Sequence, residues 1–244
     1  MRVTAILNLK GGVAKTTTTV NMAAILARDY RKRVLVVDAD SQCNTTEFLQ
    51  AYTPDSTLAD GLRGKQVNPL PTKLADVSLI AADDSLMDLD LSSIAGDGLD
   101  VKCLVPFKSY DEYDYMLVDC PPAFNAATAA ALLAADDVVI PIKLDAFSLR
   151  GMANLLRQVS NMKKLNPALC VAGLLPTMSY KNANLTKSID TLHQMGLPVY
   201  SGIRRTSKVD DMTYAQEPLI ISSPKSAACV DYKRFVAEYV GGVK

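Results

Sequence analysis

The chain has 244 residues, 49% of them apolar, and its 26 Lys and Arg balance 26 Asp and Glu. That length suits one α/β domain with a full core, and zero net charge excludes a binder that grips polyanions by bulk basicity, leaving only a local patch. A single histidine and five cysteines without a Cys-x-x-Cys pair argue against a multi-histidine metal centre, a His-relay hydrolase and a dithiol motif.

Short apolar runs alternate with longer amphipathic segments along the chain. Residues 2–8 read as a strand, 15–28 as a helix and 33–38 as a second strand. Residues 50–76, with Pro54, Pro69 and Pro71, read as an irregular excursion over the surface. Later strands fit residues 77–81, 115–119, 137–142 and 171–175, with a short one near 198–200. Helices fit 85–94, 126–133, 149–164, 185–195, 209–215 and 227–240. Runs such as 34–37 and 138–142 are apolar without alternation, as parallel strands covered on both faces are. The order predicts one domain over residues 1–244, an α/β fold with a doubly wound, mostly parallel sheet and helices on both faces. The acidic stretch Asp83, Asp84, Asp88, Asp90, Asp97 and Asp100 reads as a solvated face, the alternative being a cation site or an acidic-partner surface. The cysteines read as reduced thiols that pack as small hydrophobes. No signal-peptide pattern opens the chain and no run nears the ~18 apolar residues that span a bilayer, so a soluble cytoplasmic protein is expected.

The strongest signal lies between the first strand and first helix, in Asn8-Leu9-Lys10-Gly11-Gly12-Val13-Ala14-Lys15-Thr16-Thr17. Backbone N–H groups of a loop that opens a helix converge on an anion, and the helix dipole adds to them. Gly11 and Gly12 let the loop curl closely, Lys15 reaches the β/γ-phosphates, and the Thr16 hydroxyl is a Mg²⁺ ligand. The strict G-x-x-x-x-G-K-[ST] pattern fails at Leu9 and Ala14.

With its second lysine, the K-G-G-V-x-K-T-T form resembles the deviant Walker A of the ParA/MinD group of P-loop ATPases. The resemblance implies ATP and Mg²⁺ as cofactors, a nucleotide cradle of residues 10–17 including Val13, Ala14 and Thr17, and a Lys10 that reaches the nucleotide of an opposing subunit. Ala14 replaces the group's commonest Gly; its methyl is tolerable if the residue keeps φ below zero, and the group is permissive there. Strand two ends in Asp38-Ala39-Asp40-Ser41-Gln42-Cys43-Asn44, similar to the group's D-x-D-P-Q-G-N. Asp40 is the candidate to position the attacking water and Asp38 a supporting carboxylate beside the metal; the alternative is that both merely cap the next helix. Residues 115–122 end in Asp119-Cys120-Pro121-Pro122, which resembles a Walker B strand followed by the D-C-P-P switch, with Asp119 ordering Mg²⁺. Residues 173–178 resemble the strand that lines the base pocket at Met178, and residues 203–209 stand in the place of I-P-R-N-x-x-L, with Arg204 in place of the proline.

A ParA-like reading implies a slow ATPase, stimulated by a ParB-like centromere-binding partner. Its ATP-bound homodimer would bind DNA without sequence preference, on the nucleoid, in partition of a plasmid, mobile element or chromosome region. Arg204, Arg205 and Lys208 are the candidate DNA patch. No helix-turn-helix extension is expected before the first strand. A MinD-like membrane role requires the stripe Tyr232, Phe235, Val236, Tyr239 and Val240 to face lipid, whereas packing on the chain's own sheet explains it with no stable membrane association. A non-hydrolysing scaffold is the remaining reading.

Overall fold

The computed structural model describes residues 1–50, 52–92, 98–180 and 185–242. β1 (Arg2–Ile6), β2 (Val34–Asp38), β4 (Val77–Ile80), β5 (Tyr115–Asp119), β6 (Asp137–Lys143) and β7 (Cys170–Thr177) run parallel, and β3 (Leu70–Pro71) adds an antiparallel edge. The sheet order is β3-β4-β2-β5-β1-β6-β7. The two carboxyl-end neighbours of β1 are therefore β5 and β6, although both lie over a hundred residues away in sequence.

The unbroken apolar runs arise because both faces are covered. Leu35, Val37, Met116, Val118, Val138 and Ile140 face one core, packed under α4 (Ala126–Ala134) and α5 (Ala146–Met162). Val34, Val36, Leu117 and Val139 face the other, against α1 (Lys15–Tyr30) and α9 (Ala227–Gly241). Each buried Val, Leu or Ile side chain contributes roughly 1.5–3 kcal/mol. The expected α/β three-layer arrangement is the one observed.

Several local readings differ. The excursion over 50–76 contains α3 (Leu58–Leu62), closed by a Thr57/Asp60 capping box, and the edge strand β3. α2 (Asn44–Leu49) was not expected. The helix expected over 85–94 is a 3-10 turn, Asp84–Asp88, because Asp83 accepts from the Ser85 N–H and Asp90 from that of Ser92; residues 93 and 94, like Asp97, lie outside the described residues. The strand near 198–200 is a single bridge from Val199 to Leu174. The C-terminal half adds α6 (Leu185–His193), α7 (Lys208–Ala215) and α8 (Leu219–Ser222).

α9 uses its apolar stripe internally. Tyr232, Phe235, Val236 and Tyr239 are buried, leaving Val240 at the edge of exposure. The Tyr239 hydroxyl bonds Thr4 on β1, and the Tyr232 hydroxyl lies 3.3 Å from that of Thr18 on α1. Among the described residues no helix is long and apolar enough to cross a membrane.

Candidate nucleotide and metal site

β1 delivers the chain to the loop through Asn8. Its amide donates to the Pro141 carbonyl of β6 at 2.8 Å and its oxygen accepts from the Lys10 N–H at 2.9 Å, fixing where the loop turns. Thr177, at the end of β7, donates to the Val13 carbonyl. A Cβ added at Gly11 or Gly12 would meet open space, and Gly12 has φ +68°. The concavity that a phosphate needs is thus bounded by backbone rather than by side chains.

Ala14 does not keep φ below zero. It sits at φ 69°, ψ 35°, left-handed, immediately before α1, and the Thr18 N–H donates to its carbonyl. For a residue with a Cβ this costs roughly 1–2 kcal/mol. The loop geometry overrides the side chain there, as it does at Cys43 (φ 55°), which replaces the commonest Gly of the second loop.

Lys15 is 8% exposed, and its ammonium donates to the Lys10 carbonyl at 3.2 Å, folded back over the loop. Burial lowers its pKa, while Asp119 and Asp40 act in the opposite direction. Lys10 Nζ lies 2.9 Å from both carboxylate oxygens of Asp145, just beyond β6. The lysine expected to cross to a partner is held in this chain.

Asp119 and Asp38 end adjacent strands in register. Thr16 Oγ1 donates to Asp119 Oδ2 at 2.7 Å, so the two expected metal ligands touch. Hydroxyl and carboxylate oxygens on a phosphate loop are a donor set that fits Mg²⁺, which takes one or two protein oxygens and fills the remainder with phosphates and water. Asp38 is engaged by the loop and by α2. Its Oδ2 accepts the Thr46 N–H and hydroxyl, each at 2.8 Å, and its Oδ1 accepts the Asp40 N–H at 3.1 Å. These bonds anchor the loop and α2. Asp40 is half-buried and accepts from the Gln42 N–H at 3.1 Å, closing a turn within the loop before α2 begins, with its carboxylate close enough to act on Lys15 and Asp119. Cys120 is buried, and burial raises its thiol pKa, so it has no nucleophile's character.

Burial raises the pKa of both strand-end carboxyls, Asp38 to about 7 and Asp119 to about 6. Repulsion from Asp119 adds to the shift at Asp38, whereas the Thr45 and Thr16 hydroxyls and Lys15 oppose it at Asp119. The folded pair binds protons more readily than the unfolded chain. Its contribution to stability therefore falls as pH rises from the ordinary carboxylate value through about 7, by at most about 1.4 kcal/mol per pH unit for each proton. Asp60, Asp83, Asp114 and Asp231 shift downward and act only in more acid solution. Melting of the nucleotide-free protein is expected a few degrees higher at about pH 5 than at about pH 7.5; a flat profile would show that the pair ionises without cost.

Beside the loop lies a cavity of about 450 Å³ lined by Ala14, Thr17, Met178, Arg204 and Arg205, among others. Met178, at φ 52°, is where a base-pocket residue was expected. Arg204 lines the wall, but its guanidinium closes on buried Asp231 through Nε and Nη2, each at 2.8 Å, and its N–H donates to the same carboxylate. Burial opposes the Asp231 charge, but these bonds outweigh it and hold the carboxyl below its ordinary pKa. Lys208 pairs with Asp211 at 2.8 Å. Among the described residues, Arg205 alone of the expected basic trio has no ion pair. Two of the three are therefore engaged by acidic partners in this conformation.

The sequence reading missed Thr45, Thr46, Asp145 and Asp231. Only the Thr45-Thr46 doublet carried a signal, two hydroxyls at the first turn of a helix that enters from an acidic loop.

A strand, a glycine loop opening a helix, and a threonine of that helix bonded to an aspartate that ends the neighbouring strand define a P-loop ATPase site. A family model described as an AAA domain matches residues 1–171. The chromosome partitioning protein ParA of Caulobacter vibrioides is 31% identical over 252 residues, covering 98% of this chain and 94% of its own. The sporulation initiation inhibitor protein Soj of Bacillus subtilis is 30% identical over 253 residues, covering 95% of each. Among solved structures, apo McdA from Cyanothece superposes with a TM-score of 0.84 at 23% identity, over 99% of this chain and 100% of that one, a likeness of fold. Cobyrinic acid a,c-diamide synthase of Mycobacterium smegmatis, with a bound ATP analogue and magnesium, gives 0.78 at 28% identity, over 100% and 97%. The chain belongs to the ParA/MinD type of P-loop ATPases.

Proposed function

We propose that this chain is a Mg²⁺-dependent ATPase that partitions DNA, acting as one ATPase domain through an ATP-bound dimer that holds DNA without sequence preference. The observation that carries the nucleotide reading is the convergence of Lys15, Thr16 and Asp119 on an open glycine loop, beside a cavity of a size that suits a nucleoside. The backbone amides of residues 11–16 and Lys15 bind the phosphates, Thr16 and Asp119 hold Mg²⁺, and Asp40 orients the attacking water. A Mg²⁺ held by Thr16 and Asp119 would neutralise charge on the transferring phosphoryl group. Lys10 serves the opposing subunit's nucleotide once it leaves Asp145. A ParB-like protein is the expected stimulator, in line with the partition relatives.

The buried stripe of α9 favours DNA over a membrane surface, since the residues that would enter lipid are already part of the core. Arg205 is the first candidate for a phosphate contact, with Arg204 and Lys208 joining only if their acidic partners release them. Co-sedimentation with DNA and with anionic vesicles, each with ATP and with ADP, tests the reading. Capture by DNA in ATP alone supports partition. Capture by vesicles moves the protein to a membrane-positioning role, and capture by neither leaves an ATPase with another cargo.

A further inference from the structure

Thr45 occupies the second position of α2, is completely buried, and donates its hydroxyl to Asp119 Oδ2 at 2.6 Å. The same oxygen accepts Thr16 at 2.7 Å, and Thr19 reaches Oδ1 at 3.4 Å. Oδ2 thus carries two short hydroxyl bonds, one from the phosphate-loop helix and one from α2. The next residue, Thr46, makes the equivalent pair of bonds to Asp38. Two consecutive threonines therefore tie the start of α2 to the ends of two adjacent strands, β5 and β2. The short loop that carries Asp40 is closed between these ties, running from Asp38 to Asn44. No other element within the described residues links the Asp40 loop to Asp119 by a side-chain hydrogen bond.

We propose that Thr45 is a positioning residue of the ATPase site: its hydroxyl orients the Asp119 carboxylate for Mg²⁺ and couples that carboxylate to the α2 loop bearing Asp40. The inference rests on the nucleotide reading above. A hydrogen bond to a buried carboxylate restricts its rotation and leaves its remaining lone pairs aimed at the loop. Without that bond, Asp119 keeps Thr16 alone on Oδ2 and is free to rotate toward it. Lys15 and the backbone amides do not depend on Thr45, so phosphate binding without metal persists.

The test compares Thr45→Val, which keeps the shape and removes the hydroxyl, with Thr45→Ser, which keeps the hydroxyl and removes the methyl. The readout is the Mg²⁺ concentration that half-maximally enhances binding of a fluorescent ADP, alongside ADP affinity in EDTA. Thr45→Val is expected to raise the Mg²⁺ requirement roughly tenfold with metal-free affinity unchanged, and Thr45→Ser to stay within about twofold of the parent. Equal Mg²⁺ requirements in the parent and Thr45→Val overturn the proposal and leave the phosphate loop untouched. A larger defect in Thr45→Ser than in Thr45→Val assigns the residue to packing and also overturns it. A parent protein whose ADP affinity ignores Mg²⁺ overturns the assignment of Mg²⁺ to Thr16 and Asp119, and with it the proposal, whereas a parent that binds no ADP overturns the nucleotide reading on which the proposal rests. Should Thr45→Val not fold, Thr45→Ala against Thr45→Ser gives the same contrast.

Discussion

Lys15→Ala is expected to abolish ATP and ADP binding at concentrations that saturate the parent, while leaving the nucleotide-free fold intact. Lys15 is 8% exposed, and among the described residues its ammonium hydrogen-bonds the Lys10 carbonyl alone, at 3.2 Å. Burial already works against its charge, so removing it relieves a desolvation cost rather than breaking a structural ion pair. With phosphates present the balance reverses. A buried, hydrogen-bonded charge pair that loses one partner costs about 2–5 kcal/mol, or on the order of 10²-fold or more in Kd. Calorimetric titration with ADP and a thermal melt without nucleotide check both halves. Unchanged affinity would remove the phosphate-loop assignment, and a collapsed melt would make Lys15 a core residue.

What the sequence could reveal divides along the range of the interactions. The sheet was legible because a buried parallel strand has to be apolar at consecutive positions, and residues 34–37 and 138–142 are. The phosphate loop was legible because its chemistry is contiguous, from Asn8 to Thr17. Short elements were not: α2 opens on the polar run Asn44-Thr45-Thr46, and its stability comes from Asp38 and Asp119, which no local window contains. The Asp-rich stretch shows the opposite error. A helix was expected over 85–94, but Asp83 and Asp90 bond their own neighbours' N–H groups and stop the turn.

The charged partners show the same limit. Lys10 meets Asp145 because β1 and β6 are adjacent in the sheet, 135 residues apart in the chain. Arg204, Arg205 and Lys208 look like one basic cluster in sequence, yet Asp231 and Asp211 take two of the three. Ala14 was judged by its own preference, whereas the loop that it closes sets its φ at 69°. In each case a feature outside the local window decided the outcome.

Asp40→Ala is expected to leave the ATP-dependent dimer intact and to stop turnover. Two readings of this residue compete, a water-positioning carboxylate and a cap for α2. The hydrogen bond is real, but it caps a turn inside the loop and not α2, whose N-cap position is Cys43: Asp40 Oδ1 accepts the Gln42 N–H at 3.1 Å. It is not what holds the loop, because Asp38 fixes the Asp40 N–H and both donors of Thr46 from a fully buried position. Losing that turn bond alone costs about 1 kcal/mol of stability. Losing a group that orients and polarises the attacking water costs roughly 10²–10⁴-fold in rate. Asp40→Asn separates the two, since an amide oxygen still accepts from Gln42 but carries no charge. Phosphate release and light-scattering mass in ATP are the measurements. Both variants should be dimeric and inactive if the carboxylate handles water. An active Asp40→Asn beside an inactive Asp40→Ala would reduce Asp40 to a cap and move the catalytic role to another residue.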